Sequence, residues 1–356
     1  MKGVESTLAV LTSGGDAPGM NAAIVAVVKT AAAAGWKVLG VEDGYDGLIE
    51  ARWTELSTMS VDDVSREGGT FLRSARSSTF RTKVGRERAA ENLHSVGCEV
   101  LVVIGGNGSL TGAKIFGEES GIRVVGIPAS IDNDIACTSM CIGVDSAVNS
   151  IVEACDRISD TARSHRRAFI VEVMGRECGY LAMASGIACS ADAVLFKEQG
   201  KEQTQLVDEL KEVIRHAYSE VRDKKRVLII KAEGVDVSTA SLAEQLESTM
   251  QTETNGATLR YTILGHVVRG GRPSAMDRIM GSRLGFSAAE LAMGGHTQIM
   301  VGWRPYEEGV ATQDPRVCYF ALSKVLDDTK CLLDGTHPTT KKRMQMLAKV
   351  QNILLL

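Results

Sequence analysis

With 356 residues, 44% of them hydrophobic and only 4% aromatic, the chain is long enough for two α/β domains or one large one with an ample core. A formal net charge of −4 and an isoelectric point near 6.0 exclude the basic footprint of a nucleic-acid-binding protein. No window approaches the ~20 apolar residues of a membrane span, and the first ten residues lack a signal-peptide profile, so a cytoplasmic location is expected.

In chain order, strand-like runs fall at 7–12, 36–41, 99–104, 122–127, 168–173, 193–197, 226–231, 259–267 and 298–302. Helical periodicity occupies 19–34, 84–97, 144–163, 178–190, 204–219, 239–251 and 275–293. This alternation predicts βαβ units and a mostly parallel sheet, and the 36 glycines suit its tight turns. From about 305 the pattern decays, and 334–342 reads as a turn before a last short helix. The eight cysteines show neither paired CxxC spacing nor a nearby histidine cluster, which reads as buried thiols rather than a zinc site.

Ligands of open α/β sheets bind beyond the carboxyl ends of the strands, so the residues after each run are the first candidates. After the first strand, Gly14 and Gly15 lead into a helix whose free N–H groups and positive end suit an anion. Paired glycines also serve turn geometry alone. A second glycine loop, GGNGS, follows the run ending at Ile104, and two such loops together favour a polyphosphate. Between them Arg73, Arg76 and Arg81 are either phosphate ligands or solvated surface arginines.

The loop PASIDND, 128–134, sets Ser130 before two carboxylates. Asp132 and Asp134 are suited to taking a proton from a hydroxyl and to reaching magnesium, although turn chemistry alone also favours Asp and Asn. Met174, Gly175 and Arg176 follow another strand, where the guanidinium suits charge on a transferring phosphoryl group. Glu233 suits sugar hydroxyls, and His266 with Arg269, three apart, forms a donor pair for a phosphate monoester. Each of these residues alone has an equally good structural explanation.

The ordered motifs TSGGDAPGMN, GYDGL, GGTFLxSAR, VIGGxGS, PxSIDND, SHxR, VEVMGRxxG, AEG and LGHxxRGGxPxxxDR, between Thr7 and Trp303, resemble those of the ATP-dependent 6-phosphofructokinases. The resemblance implies two similar three-layer α/β lobes with mostly parallel sheets and the active site in the cleft between them. Residues 1–145 would form the larger, nucleotide-binding lobe and 146–265 the fructose 6-phosphate lobe; 266–356 would return to the first and supply the C-terminal tail. It also implies a homotetramer with active sites shared across a subunit interface, and no nucleic-acid or membrane partner.

Carried over by motif, Asp132 is the general base for the 1-hydroxyl of fructose 6-phosphate, with Ser130 beside the transferring group. Arg176 and the Gly15 backbone steady its charge. Magnesium falls to Asn107 and Asp134. Sugar-phosphate contacts fall on Ser130, Asp132, Met174, Gly175, Arg176, Glu233, His266 and Arg269, with Arg167 and Arg260 supplied by a neighbouring subunit. Nucleotide contacts fall on Gly15, Tyr45, Arg76, Ser77, Arg81, Gly106, Asn107, Gly108, Ser109 and Gly112. Gly108 and Ala129 stand where pyrophosphate-dependent relatives carry Asp and Lys, which favours ATP as donor.

Three positions depart from the family pattern. Asn107 replaces the metal-binding Asp of GGDGS, which predicts weaker magnesium binding and reduced turnover, or a regulatory subunit that binds without efficient transfer. Cys137, Ser139 and Cys141 stand for the usual Gly, Asp and Thr, a substitution that invites oxidant sensitivity. Val25, Lys29, Thr58 and Ser159 occupy effector-site positions that are largely arginine in bacterial relatives, so little response to ADP or phosphoenolpyruvate is expected. The duplicated regulatory half of eukaryotic forms is not expected either. NAD kinases and lipid kinases share GGDG-type loops but lack the IDND, MGR and HxxRGG set.

Overall fold

The computed structural model describes residues 6–254, 256–303 and 309–354. The chain begins with β1 (Thr7–Ser13), α1 (Met20–Ala33), β2 (Lys37–Val41), α2 (Tyr45–Ile49) and β3 (Trp53–Leu56), then α3 (Lys83–Ser95), β4 (Cys98–Gly105), α4 (Asn107–Ser120) and β5 (Arg123–Pro128). A long helix, α5 (Val144–His165), leads to β6 (Arg167–Val173), α6 (Tyr180–Ala188), β7 (Ala193–Leu195), α7 (Gln203–Tyr218), β8 (Arg226–Ala232), α8 (Thr239–Glu253) and β9 (Thr258–Ile263). The chain closes with α9 (Ala275–Met293), β10 (Ile299–Trp303), β11 (Val310–Ala311), β12 (Val317–Ala321), α10 (Leu322–Leu333) and α11 (Pro338–Leu354).

The described residues divide into two compact units. The first runs to Ser146 and resumes over Arg269–Lys330; the second comprises Ala147–Val268 and the chain from Cys331 onward. The segment after 266 is therefore divided, with α11 packed on α6 of the second unit through Arg343, whose guanidinium lies 4.5 Å from the Tyr180 ring centroid. Among the described residues no helix is long and apolar enough to cross a membrane.

In the first unit eight strands follow the order β11-β12-β10-β5-β4-β1-β2-β3. The pairs from β10 through β5, β4 and β1 to β2 are parallel, and antiparallel strands finish both edges. The apolar runs of β1 and β4 are buried throughout their centres, as expected for strands covered on both faces. Helices α1 and α9 pack at backbone distance because α9 presents Gly281 and Gly285: a Cβ there would lie 2.7 Å from the Gly19 carbonyl oxygen and 2.5 Å from that of Ala23. Asp277, in the first turn of α9, accepts from the Gly143 and Ser146 backbone N–H groups at 2.7 and 2.8 Å and from the Ser146 hydroxyl at 2.6 Å, which fixes the start of α5. Burial holds its carboxyl above the usual range against these hydrogen bonds.

The second unit holds a four-stranded, wholly parallel sheet in the order β7-β8-β6-β9. Its core joins Ile170, Leu195, Leu210, Ile214, Ile229 and Leu246 from strands and helices on one side of the sheet. The run at 259–267 is shorter as a strand than expected. Gly265, at φ 54°, breaks it, and Gly265–Arg269 forms a 3-10 turn. Helix α4 contains Gly108, Gly112 and Gly117, which are poor helix formers. Buried Leu110, Ala113 and Phe116 outweigh that propensity.

Candidate active site

Three strand ends of the first unit bring their loops side by side. At the first, Gly14 adopts φ 91° and its carbonyl accepts the Ser74 hydroxyl at 2.7 Å. The Thr12 hydroxyl donates to the Arg73 carbonyl at 2.8 Å, and Asn21 accepts the Phe71 N–H at 2.9 Å. The segment 71–74 is thereby tied to this loop although these contacts span 50 to 61 residues of sequence. Arg269, largely buried, donates from Nη1 to the Asp16 carbonyl at 3.1 Å, and the same nitrogen lies 2.9 Å from where a Cβ on Gly15 would be.

The parallel register of β1 and β4 sets Gly105 opposite Ser13, and a Cβ on Gly105 would lie 2.5 Å from the Ser13 carbonyl oxygen. The second loop is consequently a short approach to α4: Gly106 is extended and Asn107 is the first helical residue. The first-turn N–H groups of α4 are oriented as in sites that receive phosphate. Ser109 is buried against the first loop, its Oγ 3.3 Å from a Cβ built on Gly14. Tyr45 donates its hydroxyl to the Ser109 carbonyl at 2.6 Å and stacks on Phe80 at 3.9 Å between centroids. Burial pushes the Tyr45 hydroxyl well above its usual range, so it remains a donor. A Cβ on Gly112 would sit 3.3 Å from Tyr45 and 3.4 Å from Phe80.

The third loop joins the second directly. The Ala129 N–H donates to the Gly105 carbonyl at 3.0 Å, and Gly106 faces the Ser130 Cβ at 3.9 Å from a built Cβ. Ser130 donates its hydroxyl to Asp134 Oδ1 at 2.7 Å. Asp132 is 2% exposed, and Asn133 turns the chain between the carboxylates at φ 52° while accepting the Cys141 N–H at 3.0 Å. Cys137, also left-handed at φ 61°, donates its thiol to Asp328 at 3.4 Å; Cys141 is fully buried. Among the described residues no group of three or more His, Cys, Asp or Glu gathers as a metal cage. A magnesium ion bound mainly through phosphate oxygens needs only one or two protein oxygens, and half-buried Asp134 with Asn107 is that kind of donor set.

The second unit carries its own cluster. Glu233 Oε1 accepts from the backbone N–H of Gly175 at 3.2 Å and of Arg176 at 2.8 Å. Gly175 is at φ 145° and Arg176 at φ 49°, so the turn after β6 aims the Arg176 side chain outward, where it is exposed, above buried Met174. His266 is exposed on the 3-10 turn. Arg167 opens β6 and Arg260 lies exposed on the edge strand β9, its guanidinium donating to the Leu259 carbonyl at 2.8 Å.

The structure does not gather every candidate. His266 and Arg269 share the Gly265–Arg269 turn; His266 is exposed, and Arg269 is buried with Nη1 on the Asp16 carbonyl. Arg73 is held by ion pairs with Glu42 and Asp43, and its guanidinium lowers the Asp43 carboxyl. Arg76 and Arg81 are exposed, while Ser77 caps the short 3-10 turn containing Arg81 by accepting the Phe80 N–H at 3.0 Å. Of the effector-position residues, Lys29 pairs with Asp62 at 2.7 Å and Ser159 is buried. Sequence reasoning missed Phe80 as the partner of Tyr45 and Asp277 as the clasp on α5. Asp277 stands in the quoted LGHxxRGGxPxxxDR motif, which was the available signal; Phe80 carried none.

Parallel α/β units with glycine loops and paired aspartates at adjacent strand ends define a phosphate-handling enzyme. The family profile described as Phosphofructokinase matches residues 7–292, and the chain belongs to that family. It is 47% identical over 294 residues to the ATP-dependent 6-phosphofructokinase of Thermotoga neapolitana, covering 83% of this chain and 88% of that one. Identity to the enzyme of the same name from Natranaerobius thermophilus is 44% over 300 residues, 84% of this chain and 90% of that one. The phosphofructokinase structure from Saccharomyces cerevisiae superposes with a TM-score of 0.85 at 34% identity over 99% of this chain, which spans 50% of that longer one.

Proposed function

We infer that this chain is an ATP-dependent 6-phosphofructokinase, moving the γ-phosphoryl group of ATP to the 1-hydroxyl of fructose 6-phosphate to give fructose 1,6-bisphosphate and ADP. The observation that carries the reading is the hydrogen bond from the Ala129 N–H to the Gly105 carbonyl, which sets a phosphate-type loop beside a loop bearing a buried aspartate. The relatives named for this activity support it.

In this reading the first unit takes ATP. The Gly14–Gly15 turn and the start of α4 receive the phosphates, and the Tyr45–Phe80 stack with Gly112 forms an apolar wall beside them. Gly108 is exposed with open space where a Cβ would stand, leaving room for a nucleotide that a side chain would restrict. Asp132 takes the proton of the acceptor hydroxyl, and Ser130, its own proton directed to Asp134, holds that carboxylate in place. Arg176 and the Gly15 N–H meet the charge that develops on the transferring group. Magnesium, when bound, would be held by Asp134, the Asn107 amide oxygen and phosphate oxygens, and would neutralise charge on the phosphoryl group.

Fructose 6-phosphate is assigned to Met174, Gly175, Arg176, Glu233, His266 and Arg269. Arg167 and Arg260 serve a neighbouring copy in a homotetramer of the cytoplasm. ADP and phosphoenolpyruvate have little effect, because Lys29 is engaged and Ser159 is buried.

A coupled assay of fructose 1,6-bisphosphate formation, with magnesium titrated against ATP or pyrophosphate as donor, tests the reading. Turnover with ATP and an elevated magnesium requirement supports it. Tight ATP binding without turnover on either donor favours the regulatory-subunit alternative that Asn107 raises.

A further inference from the structure

Strand β8 reads Val227, Leu228, Ile229, Ile230 and then Lys231, and the lysine is as buried as the residues before it, at 1% exposure. Lysine is almost never found at such depth without a partner. Its partner is Glu172 on β6, the residue directly across the parallel register; Lys231 Nζ donates to Glu172 Oε2 at 3.1 Å and reaches the Ala232 carbonyl at 3.4 Å. The Thr239 hydroxyl, at the start of α8 and also buried, donates to the same Glu172 oxygen. An apolar pair of similar volume would stabilise such a sheet at least as well, so burial alone does not account for the charges.

Their position does. Glu172 stands two residues before Met174, and Lys231 two before Glu233. Past the ion pair the two chains stay in contact: the Glu233 N–H donates to the Val173 carbonyl at 2.9 Å, and Glu233 Oε1 receives the Gly175 and Arg176 N–H groups. Glu172 also accepts, at its carbonyl, the Leu264 N–H at 3.0 Å, which fixes the chain entering the turn that bears His266. One residue thus touches all three segments that present the sugar-phosphate candidates.

We propose that Lys231 is a positioning residue for the sugar-phosphate half-site, acting through Glu172 to hold the Met174–Arg176 turn in register with Glu233 and the His266 segment. It rests on the assignment of that half-site to fructose 6-phosphate. Its loss weakens ground-state binding of the sugar phosphate through the whole turn, and transition-state stabilisation through Arg176 as well.

The test is steady-state kinetics of the full-length protein carrying Lys231→Met, Lys231→Arg, Glu172→Gln or Thr239→Val, with Glu233→Gln as control. Lys231→Met is expected to raise the KM for fructose 6-phosphate about tenfold, with a smaller fall in kcat through Arg176 and the KM for ATP within about twofold, and Lys231→Arg to recover most of the loss. A lower melting temperature with an unchanged fructose 6-phosphate KM would overturn the proposal, as would equal losses in both substrates. Should Lys231→Met fail to fold, the milder Glu172→Gln and Thr239→Val decide, each expected to raise the same KM by a smaller factor. If Glu233→Gln leaves that KM unchanged, the assignment of the half-site fails; if it raises the KM while the Lys231 and Glu172 variants do not, only the positioning role fails.

Discussion

Arg269 reaches back across 253 residues to donate to the Asp16 carbonyl at 3.1 Å, and in doing so lays its guanidinium against the open Cα of Gly15. The first glycine loop thereby acquires a fixed positive charge that its own sequence does not contain. A side chain on Gly15 would displace that guanidinium. The neighbour is the end of a flexible side chain, so Gly15→Ala should fold, with a melting temperature close to the parent. Turnover should fall by about 10²-fold, the scale of removing one well-placed charge-stabilising donor. Gly14→Ala differs: its φ of 91° adds backbone strain of about 1–2 kcal/mol, visible in denaturant unfolding. Parent-like kinetics for Gly15→Ala would remove this loop from the chemistry.

Asn107 opens α4, where a carboxylate would meet the helix dipole and, in the proposed reading, magnesium. Asn107→Asp is expected to lower the magnesium concentration for half-maximal rate several-fold, on the order of one extra charged ligand contact, and to raise kcat. Stability should rise by about 0.3–1 kcal/mol from the charge at the helix N-terminus. Unchanged magnesium dependence in the coupled assay, alongside the stability gain, would show that residue 107 meets the dipole but not the metal.

Much of this arrangement was legible because it is local. The loops at Gly14–Gly15, Gly105–Ser109 and Ser130–Asp134 each follow a continuous apolar run, and a parallel sheet aligns such strand ends without further information. What was hidden depends on contacts distant in sequence or on packing that overrides propensity. The hydrogen bond from Arg269 to the Asp16 carbonyl joins positions 253 residues apart, which no local motif announces. The sequence left Arg73 open between a phosphate ligand and a surface arginine, and the ion pairs with Asp43 and Glu42 are contacts it could not show. The edge strands β3 and β11 offer no apolar run: β3 carries exposed Thr54 and Glu55, and β11 is two residues long. Cys137 shows the reverse case: its φ of 61° supplies the reason that the family pattern favours glycine there.

Gly234 is packed against the turn it helps to support. A Cβ there would lie 2.0 Å from the Arg176 carbonyl oxygen, a backbone atom that cannot move without shifting the whole Gly175–Arg176 turn. Gly234→Ala should therefore break the hydrogen bonds from that turn to Glu233 and destabilise the protein by about 1–3 kcal/mol, the range for overpacking. The KM for fructose 6-phosphate should rise more than tenfold while ATP binding is retained, as read by calorimetric titration of ATP. Loss of ATP affinity to the same extent would mean that the substitution unfolds the chain rather than deforming one half-site.

The Arg283–Asp314 pair is among the contributors to acid sensitivity in the first unit. Arg283 on α9 donates from Nε to Asp314 Oδ2 at 2.6 Å, with a second contact from Nη2, and its guanidinium lies 5.1 Å from the Trp303 ring centroid. That guanidinium holds the Asp314 carboxyl below its ordinary value, helped by the Arg316 N–H at 2.8 Å. A carboxyl depressed on folding adds stability that is present above its unfolded pKa of about 3.9 and is lost as pH falls through the lower folded value. Arg283 is 34% exposed on its side chain, so screening limits the contribution to about 1 kcal/mol at neutral pH. Denaturant midpoints measured between about pH 2 and pH 7 should therefore separate the parent from Arg283→Met at neutral pH and converge at the acid end, once Asp314 is protonated in both states of both proteins. A gap that persists undiminished at low pH would assign the effect to lost packing on Trp303 instead of to the charge.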